Sequence, residues 1–129
     1  MRKLLLILAM VLTVNLLLTA CASKIAAPVE AVNKYLNALV EKDAERLPTL
    51  VCSDWEDDAL IELDSFQAVT ARLDNVSCEL TGSDGDTALV NCKGNIVMSY
   101  NNEDQAIDLS SRTYQVTQEG GEWLVCGTR

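Results

Sequence analysis

The chain contains 129 residues, with 19 acidic and 10 basic side chains, five cysteines and no histidine. This length accommodates one small domain, and the lack of histidine excludes Ser-His-Asp and Cys-His catalytic groups and the usual histidine-bearing zinc sites. The net charge of −9 argues against nucleic acid as a partner, because binding to phosphates depends on Lys and Arg side chains.

The N-terminus has the pattern of a secretory signal. Arg2 and Lys3 precede a long apolar run. The run ends in Leu18-Thr19-Ala20-Cys21, which resembles the lipobox of bacterial lipoproteins. The resemblance implies that residues 1–20 are a cleaved signal peptide and that Cys21 becomes the new N-terminus, carrying acyl groups such as palmitate. We therefore expect a protein anchored by lipid in the cell envelope, facing the periplasm or the cell exterior.

Two other interpretations of this segment stay open. An uncleaved transmembrane anchor would have only the 17 residues from Leu4 to Ala20, which is short for about 30 Å of hydrocarbon. The other is simple secretion without a lipid. If the signal is removed, the loss of Arg2 and Lys3 takes the net charge from −9 to −11, so the acyl groups alone must supply membrane attachment.

Four cysteines remain beyond Cys21, namely Cys52, Cys78, Cys92 and Cys126. They form no Cys-x-x-Cys pair, which argues against a four-cysteine zinc site and a thioredoxin-type redox site. We expect no bound metal and no cofactor. An even number of cysteines in an exported domain favours two disulfides, with free buried thiols as the alternative.

The strand pattern ranks the three possible pairings of these cysteines. Residues 82–86 form a turn signal between two stretches of alternating apolar and polar side chains. If Ser83 opposes Thr87 across a three-residue loop, Cys78 lies opposite Cys92, within disulfide reach. The remaining two cysteines then form the second pair.

The first helix is predicted after a short tether at residues 21–27. Pro28 is well placed as its first residue. Apolar side chains recur behind it at helical spacing, and they are Val29, Val32, Leu36, Leu39 and Val40. An amphipathic helix is therefore expected to cover a core with this face.

Two further helices are predicted downstream. Asp43 is placed to cap a short helix over residues 44–50, which Pro48 distorts. Ser53 or Asp54 caps a third helix. The apolar face of the third helix consists of Trp55, Ala59, Leu60 and Leu63.

The second half of the chain has the pattern of a β-sheet. Helical spacing continues through Phe66, Val69 and Leu73, and the apolar period changes to two from Asn75 onward. Turn signals then separate successive strands. A slip in parity at Ser110-Ser111 predicts a bulge in the sheet.

Helices followed by an antiparallel meander predict one α+β domain over residues 28–129, with N-terminal helices packed on a curved antiparallel sheet of about four strands. The domain resembles the nuclear transport factor 2-like, or cystatin-like, superfamily in residues 32–39 and 42–45, and in the closing residues 114–116 and 121–125. The resemblance implies a cone of helices packed in a bent sheet. It also implies that the interior binds small apolar molecules or catalyses isomerisation or dehydration in some relatives.

Several side chains are candidates for chemistry inside such a cone. A general base or oxyanion donor is sought among Tyr35, Tyr100, Tyr114 and Asp64. Each of the four lies on an apolar pattern or at the end of an element, which favours a role in the core or at its rim. Trp55 and Trp123 either line a pocket or belong to the core. Acidic clusters at residues 54–58 and 101–104 are expected to be solvated surfaces, because the EF-hand pattern is absent.

Two functions remain as hypotheses. The first is a non-enzymatic envelope lipoprotein, attached to the membrane through lipid on Cys21, whose domain binds a protein partner or a small apolar ligand. The second is a cone enzyme of the isomerase or dehydratase kind, using a buried carboxylate or tyrosine. No residue is assigned a catalytic role, because the dehydratase-type relatives depend on histidine and this chain contains none. An open cavity with a buried carboxylate favours the enzyme, and a filled interior favours the binding protein.

Overall fold

The computed structural model describes residues 26–129, so the predicted signal peptide, Cys21 and most of the predicted tether lie outside the described residues. The chain is α-helical over residues 26–41, which form α1. Residues 26 and 27, which the sequence placed in the tether, are therefore helical. Within the described residues, no helix is long and apolar enough to cross a membrane.

Helix α1 buries its predicted apolar face and ends in a regular cap. Leu36 and Leu39 are fully buried. Lys42 has a left-handed backbone, with φ of 57°, at the position where a helix commonly terminates. The Lys42 N–H donates to the Leu39 carbonyl at 3.1 Å, and the Asp43 N–H donates to the Ala38 carbonyl at 2.9 Å. These two bonds form a Schellman motif and satisfy carbonyls that α1 leaves free.

The segment after α1 contains less helix than the sequence predicted. Instead of a helix over residues 44–50, it contains a single 3-10 turn at Leu47–Leu50. Asp43 accepts the Arg46 N–H through Oδ1 at 3.0 Å, as expected for a cap. Pro48 lacks the N–H that a longer helix needs, so the helix does not develop.

The third predicted helix is present, but the predicted cap at Ser53 or Asp54 was wrong, because the helix begins at Glu56 and its N-cap residue is Trp55, which makes no side-chain cap hydrogen bond. A 3-10 turn at Ser53–Trp55 leads into α2, Glu56–Asp64. Ala59 and Leu63 are buried on its inner face. α2 therefore packs against the core through the positions that the sequence indicated.

The prediction for the residues after α2 was wrong. The chain turns over residues 65–69, and the first strand begins at Thr70. Phe66 is buried within this turn, and Leu73 lies in the strand. Buried side chains in a turn happened to continue the helical spacing, so the period alone did not locate the end of the helix.

A five-stranded antiparallel open sheet follows, with strands β1 (Thr70–Asp84), β2 (Thr87–Tyr100), β3 (Glu103–Asp108), β4 (Thr113–Glu119) and β5 (Glu122–Thr128). The order is β1-β2-β4-β5, and β3 pairs with β2. β3 pairs with residues 95–100 of β2, and β4 pairs with residues 88–91. β3 and β4 therefore lie end to end along the same edge of β2, and β1 pairs with the opposite edge.

The break between β3 and β4 lies where the sequence predicted a bulge. It is a 3-10 turn at Leu109–Ser111. Asp108 accepts the Ser110 N–H at 2.8 Å, and this bond lowers the pKa of the Asp108 carboxyl. The turn divides one long strand into two, which gives five strands where about four were expected.

The β1–β2 hairpin differs from the predicted one in its loop but not in its cysteine register. Asp84 pairs with Thr87 across a two-residue loop that starts with Gly85, whose φ is 60°. The predicted three-residue loop was therefore wrong. An irregularity between Leu80 and Gly82 shifts the register by one residue and places the two cysteines of this hairpin opposite each other.

Two disulfides join the elements of the domain. Cys78 is bonded to Cys92 across β1 and β2, with Cα atoms 4.0 Å apart, and Cys52 is bonded to Cys126 in β5, at 4.9 Å. The second bond is supported by backbone contacts, because the Cys52 N–H donates to the Val125 carbonyl at 2.9 Å. These are the pairs that the strand pattern favoured.

The core lies between the helical layer and one face of the sheet. No charged side chain of the described residues is buried within it. Both layers contribute large apolar and aromatic side chains that are essentially inaccessible to solvent, namely Tyr35, Leu36, Leu39, Leu47, Leu63, Phe66, Ile96, Leu109 and Tyr114. These groups form one buried cluster between the layers.

Candidate functional site

A polar cluster crosses the domain from the helices to the start of β4. Tyr35 of α1 donates its hydroxyl hydrogen to Glu62 Oε2 at 2.5 Å, and Arg112 Nη1 donates to Glu62 Oε1 at 2.6 Å. The side chain of Glu62 is 20% exposed and that of Arg112 is 31% exposed. Glu62 on α2 therefore connects α1 to the residue that precedes β4.

Two tyrosines lie beneath this ion pair. Tyr35 and Tyr114 are fully buried, with ring centroids 6.3 Å apart in an edge-to-face arrangement. The ring of Trp55 also packs against Tyr35, with centroids 5.4 Å apart. Burial and the negative charge of Glu62 raise the pKa of Tyr35 far above its usual range, and burial raises the pKa of Tyr114 to about 12. Both side chains are therefore neutral at physiological pH, and Tyr35 is the one that donates a hydrogen bond to Glu62.

The geometry of Glu62 restricts the chemistry open to this cluster. A general base needs an oxygen that can reach a substrate proton. Each oxygen of Glu62 already accepts a short hydrogen bond, one from a tyrosine and one from an arginine. The cluster therefore has the organisation of a structural connection between the helices and the sheet.

A second candidate region surrounds Trp123 on β5. Its side chain borders two grooves, and both grooves are also lined by the first described turn of α1. The larger groove, of about 520 Å³, extends to the β1–β2 hairpin. Its walls include Pro28, Leu80, Ser83, Asp86, Ala88 and Gln118. The smaller groove, of about 240 Å³, is lined by residues that include Ala27, Lys34, Leu50, Glu122 and Leu124.

Carboxylates outnumber cations around Trp123. Asp86 lines the larger groove and Glu122 lines the smaller one, and Glu119 pairs with Glu122 across the β4–β5 hairpin. None of the three is in an ion pair with another described residue. Lys34 also lines the smaller groove, but it pairs with Glu30 at 2.9 Å. We call the two grooves, with their lining carboxylates Asp86 and Glu122 and with Glu119 at the adjoining hairpin, the Trp123 surface.

The structure separates the residues that the sequence offered for catalysis. Tyr35 and Tyr114 lie together in the core. Tyr100 is 61% exposed next to the β2–β3 turn, and Asp64 is exposed at the end of α2. The four side chains therefore do not form one site.

The two acidic clusters also lie at the surface. In the first cluster, Asp54, Asp57 and Asp58 are exposed on the α2 side of the domain. In the second, Asp104 accepts the hydroxyl of Ser99 and pairs with Arg72 at 3.4 Å. Both clusters have the solvated character that the sequence predicted.

Glu62 and Arg112 were not identified from the sequence. Glu62 follows Trp55 by seven positions and Ala59 by three, so it lies at the border of the apolar face of α2. Arg112 follows directly after the parity slip at Ser110-Ser111. The available signal was a charged residue at the border of an apolar helix face and another directly after a parity slip. Because the two residues are far apart along the chain, the sequence did not show that they form a pair.

One group of potential metal ligands occurs among the described residues. Cys52, Cys126 and Glu119 place three ligand atoms within 4.8 Å of one another. The two sulfurs are bonded to each other, and a disulfide supplies no thiolate ligand. The group therefore does not form a metal site in the oxidised domain.

Comparisons with known proteins extend the description of the fold. No protein-family profile matches the chain, and no curated protein matches it. The domain is similar to the solution structure of a SEC-C motif containing protein from Rhodopseudomonas palustris, with a TM-score of 0.53 and 14% sequence identity, over 81% of this chain and 78% of that one. At this level of identity the similarity shows the α+β fold alone.

Proposed function

We propose that this protein is a non-enzymatic lipoprotein of the cell envelope, whose disulfide-bonded domain binds a protein partner or a small apolar ligand. The observation that carries the proposal is the lipobox-like sequence Leu18-Thr19-Ala20-Cys21, which follows two basic residues and an apolar run in the order typical of a lipoprotein signal. Cleavage before Cys21 and acylation of its sulfur and new amino group would anchor the domain to a membrane. The domain then faces the periplasm or the cell exterior.

The disulfides support export. Structural disulfides persist in oxidising compartments and are rare in the cytosol. The bonds Cys52–Cys126 and Cys78–Cys92 use all four cysteines that follow Cys21. The one remaining cysteine is the one at the lipobox position.

We also infer that the domain is a cystatin-like cone of the nuclear transport factor 2-like kind. The support is the packing of α1 and α2 against one face of an antiparallel sheet whose long strands carry irregularities and a break. Such irregularities bend a sheet around the helices that it covers.

A cone enzyme is the second candidate, and one observation favours it. Glu62 is a half-buried carboxylate next to two buried tyrosines. Both of its oxygens are occupied by Tyr35 and Arg112, and the interior is filled by apolar side chains. These features support the non-enzymatic function over catalysis.

The test of the proposed function is acyl labelling of the full chain in a bacterial host. We expect the natural chain to incorporate a palmitate analogue and to fractionate with membranes. The variant Cys21→Ser should lose the label and leave the membrane fraction, whereas the neighbouring control Ser23→Ala should keep both properties. Retention of the label and of membrane association by Cys21→Ser would refute the proposal.

A further inference from the structure

We propose that the Trp123 surface is a docking site for a partner protein, which it binds through an extended segment that carries Lys or Arg next to an apolar side chain. This inference rests on the proposed function, because it assigns the binding activity to one surface and specifies the chemistry of the partner. Three features of the surface lead to it, namely its charge, the composition of its grooves and its position in the chain.

The charge of the surface calls for a cation. Glu119 and Glu122 are directly opposite in the β4–β5 hairpin, and like charges at opposed positions destabilise a sheet. Asp86 adds a third carboxylate at the larger groove. A Lys or Arg side chain placed at the hairpin would relieve the repulsion, and a basic partner would be attracted over a longer distance.

The composition of the grooves suits a peptide better than an acyl chain. Leu80, Ala88 and Trp123 supply apolar walls in the larger groove, and Ser83 and Gln118 supply hydrogen-bonding groups. An acyl chain would cover these polar groups without offering them a partner, which costs free energy. A peptide brings N–H and C=O groups as well as side chains, so it can satisfy both parts of the wall.

The position of the surface brings it close to the membrane. Five residue steps separate Cys21 from residue 26, a distance of at most about 18 Å in a fully extended chain. Ala27 and Pro28 line the two grooves. Acylation at Cys21 would therefore hold the Trp123 surface near the membrane, where segments of other envelope proteins are available.

The test measures binding of a defined peptide to the acylated full chain in detergent micelles. The probe is a fluorescent ten-residue peptide in which Lys and Leu alternate, and its control has Glu in place of Lys. We expect the Lys peptide to bind, with an affinity that falls as salt is added, and the Glu peptide not to bind. Asp86→Asn combined with Glu122→Gln should weaken binding roughly fivefold, as expected for two exposed charge pairs.

A matched double variant distinguishes a site from general attraction to an acidic protein. Asp57→Asn with Asp58→Asn removes the same charge from exposed positions on α2. It should leave the affinity unchanged within about twofold, since screened charges outside the site contribute little. An equal loss in both double variants, or equal binding of the Lys and Glu peptides, would overturn the inference.

Substitution of the aromatic side chain gives an independent measurement. Trp123→Ala should weaken binding of the Lys peptide by roughly thirtyfold, as for an aromatic anchor at an interface. If this variant does not fold, the charge variants decide the question alone. Failure of peptide binding by a chain that still incorporates the palmitate analogue would refute the docking site and leave the proposed anchoring intact.

Discussion

At the scale of single residues, Tyr35 and Tyr114 occupy the same buried layer but differ in hydrogen bonding. The hydroxyl of Tyr35 donates to the carboxylate of Glu62. The hydroxyl of Tyr114 has no hydrogen-bond partner among the described residues, although it is inaccessible to solvent. A buried polar group without a partner costs free energy, whereas a hydrogen bond to a charged acceptor stabilises the fold.

This difference predicts opposite responses to the same substitution. Tyr35→Phe should lower the free energy of unfolding by about 1 to 2 kcal/mol, because Glu62 loses a donor. Tyr114→Phe should leave it unchanged or raise it by up to about 1 kcal/mol, because no bond is lost. Urea denaturation followed by circular dichroism measures both values. A larger loss in Tyr114→Phe than in Tyr35→Phe would show that the Tyr114 hydroxyl has a partner, such as the neighbouring Arg112 guanidinium or an ordered water.

Only the aromatic half of this cluster could be predicted from the sequence. Both tyrosines were sequence candidates for the core or its rim, because each lies on an apolar pattern or at the end of an element, and both are buried. Glu62 and Arg112 are 50 positions apart, and their contact depends on how α2 crosses the start of β4. A packing angle between a helix and a sheet is set by many side chains together, and no local spacing encodes it.

At the scale of secondary-structure elements, the β1–β2 pair contains a second irregularity, between Asp74 and Ser77. Asn75 has φ of 51° in this irregularity, and Gly94 on β2 has φ of 95°. A Cβ atom on Gly94 would lie 2.4 Å from the Asn75 carbonyl oxygen. The two backbones approach so closely here that only glycine fits on β2.

Gly94→Ala should therefore be strongly destabilising. We expect a loss of about 3 kcal/mol in the free energy of unfolding, since the substitution combines an unfavourable φ with a clash against backbone atoms. Gly82→Ala on β1 is the matched control, because a Cβ there meets no atom within 4 Å. It should change stability by less than about 1 kcal/mol. Similar urea midpoints for the two variants would mean that the irregularity relaxes to accept a side chain.

The sequence predicted the elements better than their boundaries. Periodicity located α1, α2 and the sheet because burial on one face of each element produces it. The change to strand at Thr70 was missed, since buried Phe66 in the turn kept the helical spacing. The break at Leu109–Ser111 was detected as a slip in parity, but its form depended on the cap at Asp108. Hydrogen bonds of single polar side chains decide such details and leave no periodic signal.

At the scale of the whole molecule, the two disulfides act over very different lengths of chain. Cys78–Cys92 closes a separation of 14 residues within one hairpin, whose strands are already paired along their length. Cys52–Cys126 closes a separation of 74 residues and joins the segment before α2 to the last strand. Among the described residues, a single isolated bridge, between Val51 and Val125, pairs that segment with β5. The longer closure therefore restricts the unfolded chain more and also joins the two layers of the fold.

Removing the two disulfides separately should therefore have unequal effects. In the loop-entropy description, the Cys78–Cys92 and Cys52–Cys126 closures stabilise the fold by roughly 3 and 4.5 kcal/mol. Cys52→Ala with Cys126→Ala should lower the urea midpoint more than Cys78→Ala with Cys92→Ala, and should loosen the helical layer as seen by near-ultraviolet circular dichroism. Peptide mapping without reductant establishes the bonds in the natural chain. The urea midpoint could instead fall equally in the two double variants, or less in Cys52→Ala with Cys126→Ala. Either result would mean that the packing of α2 on the sheet, together with the Glu62–Arg112 ion pair at its border, holds the layers together without the covalent bond.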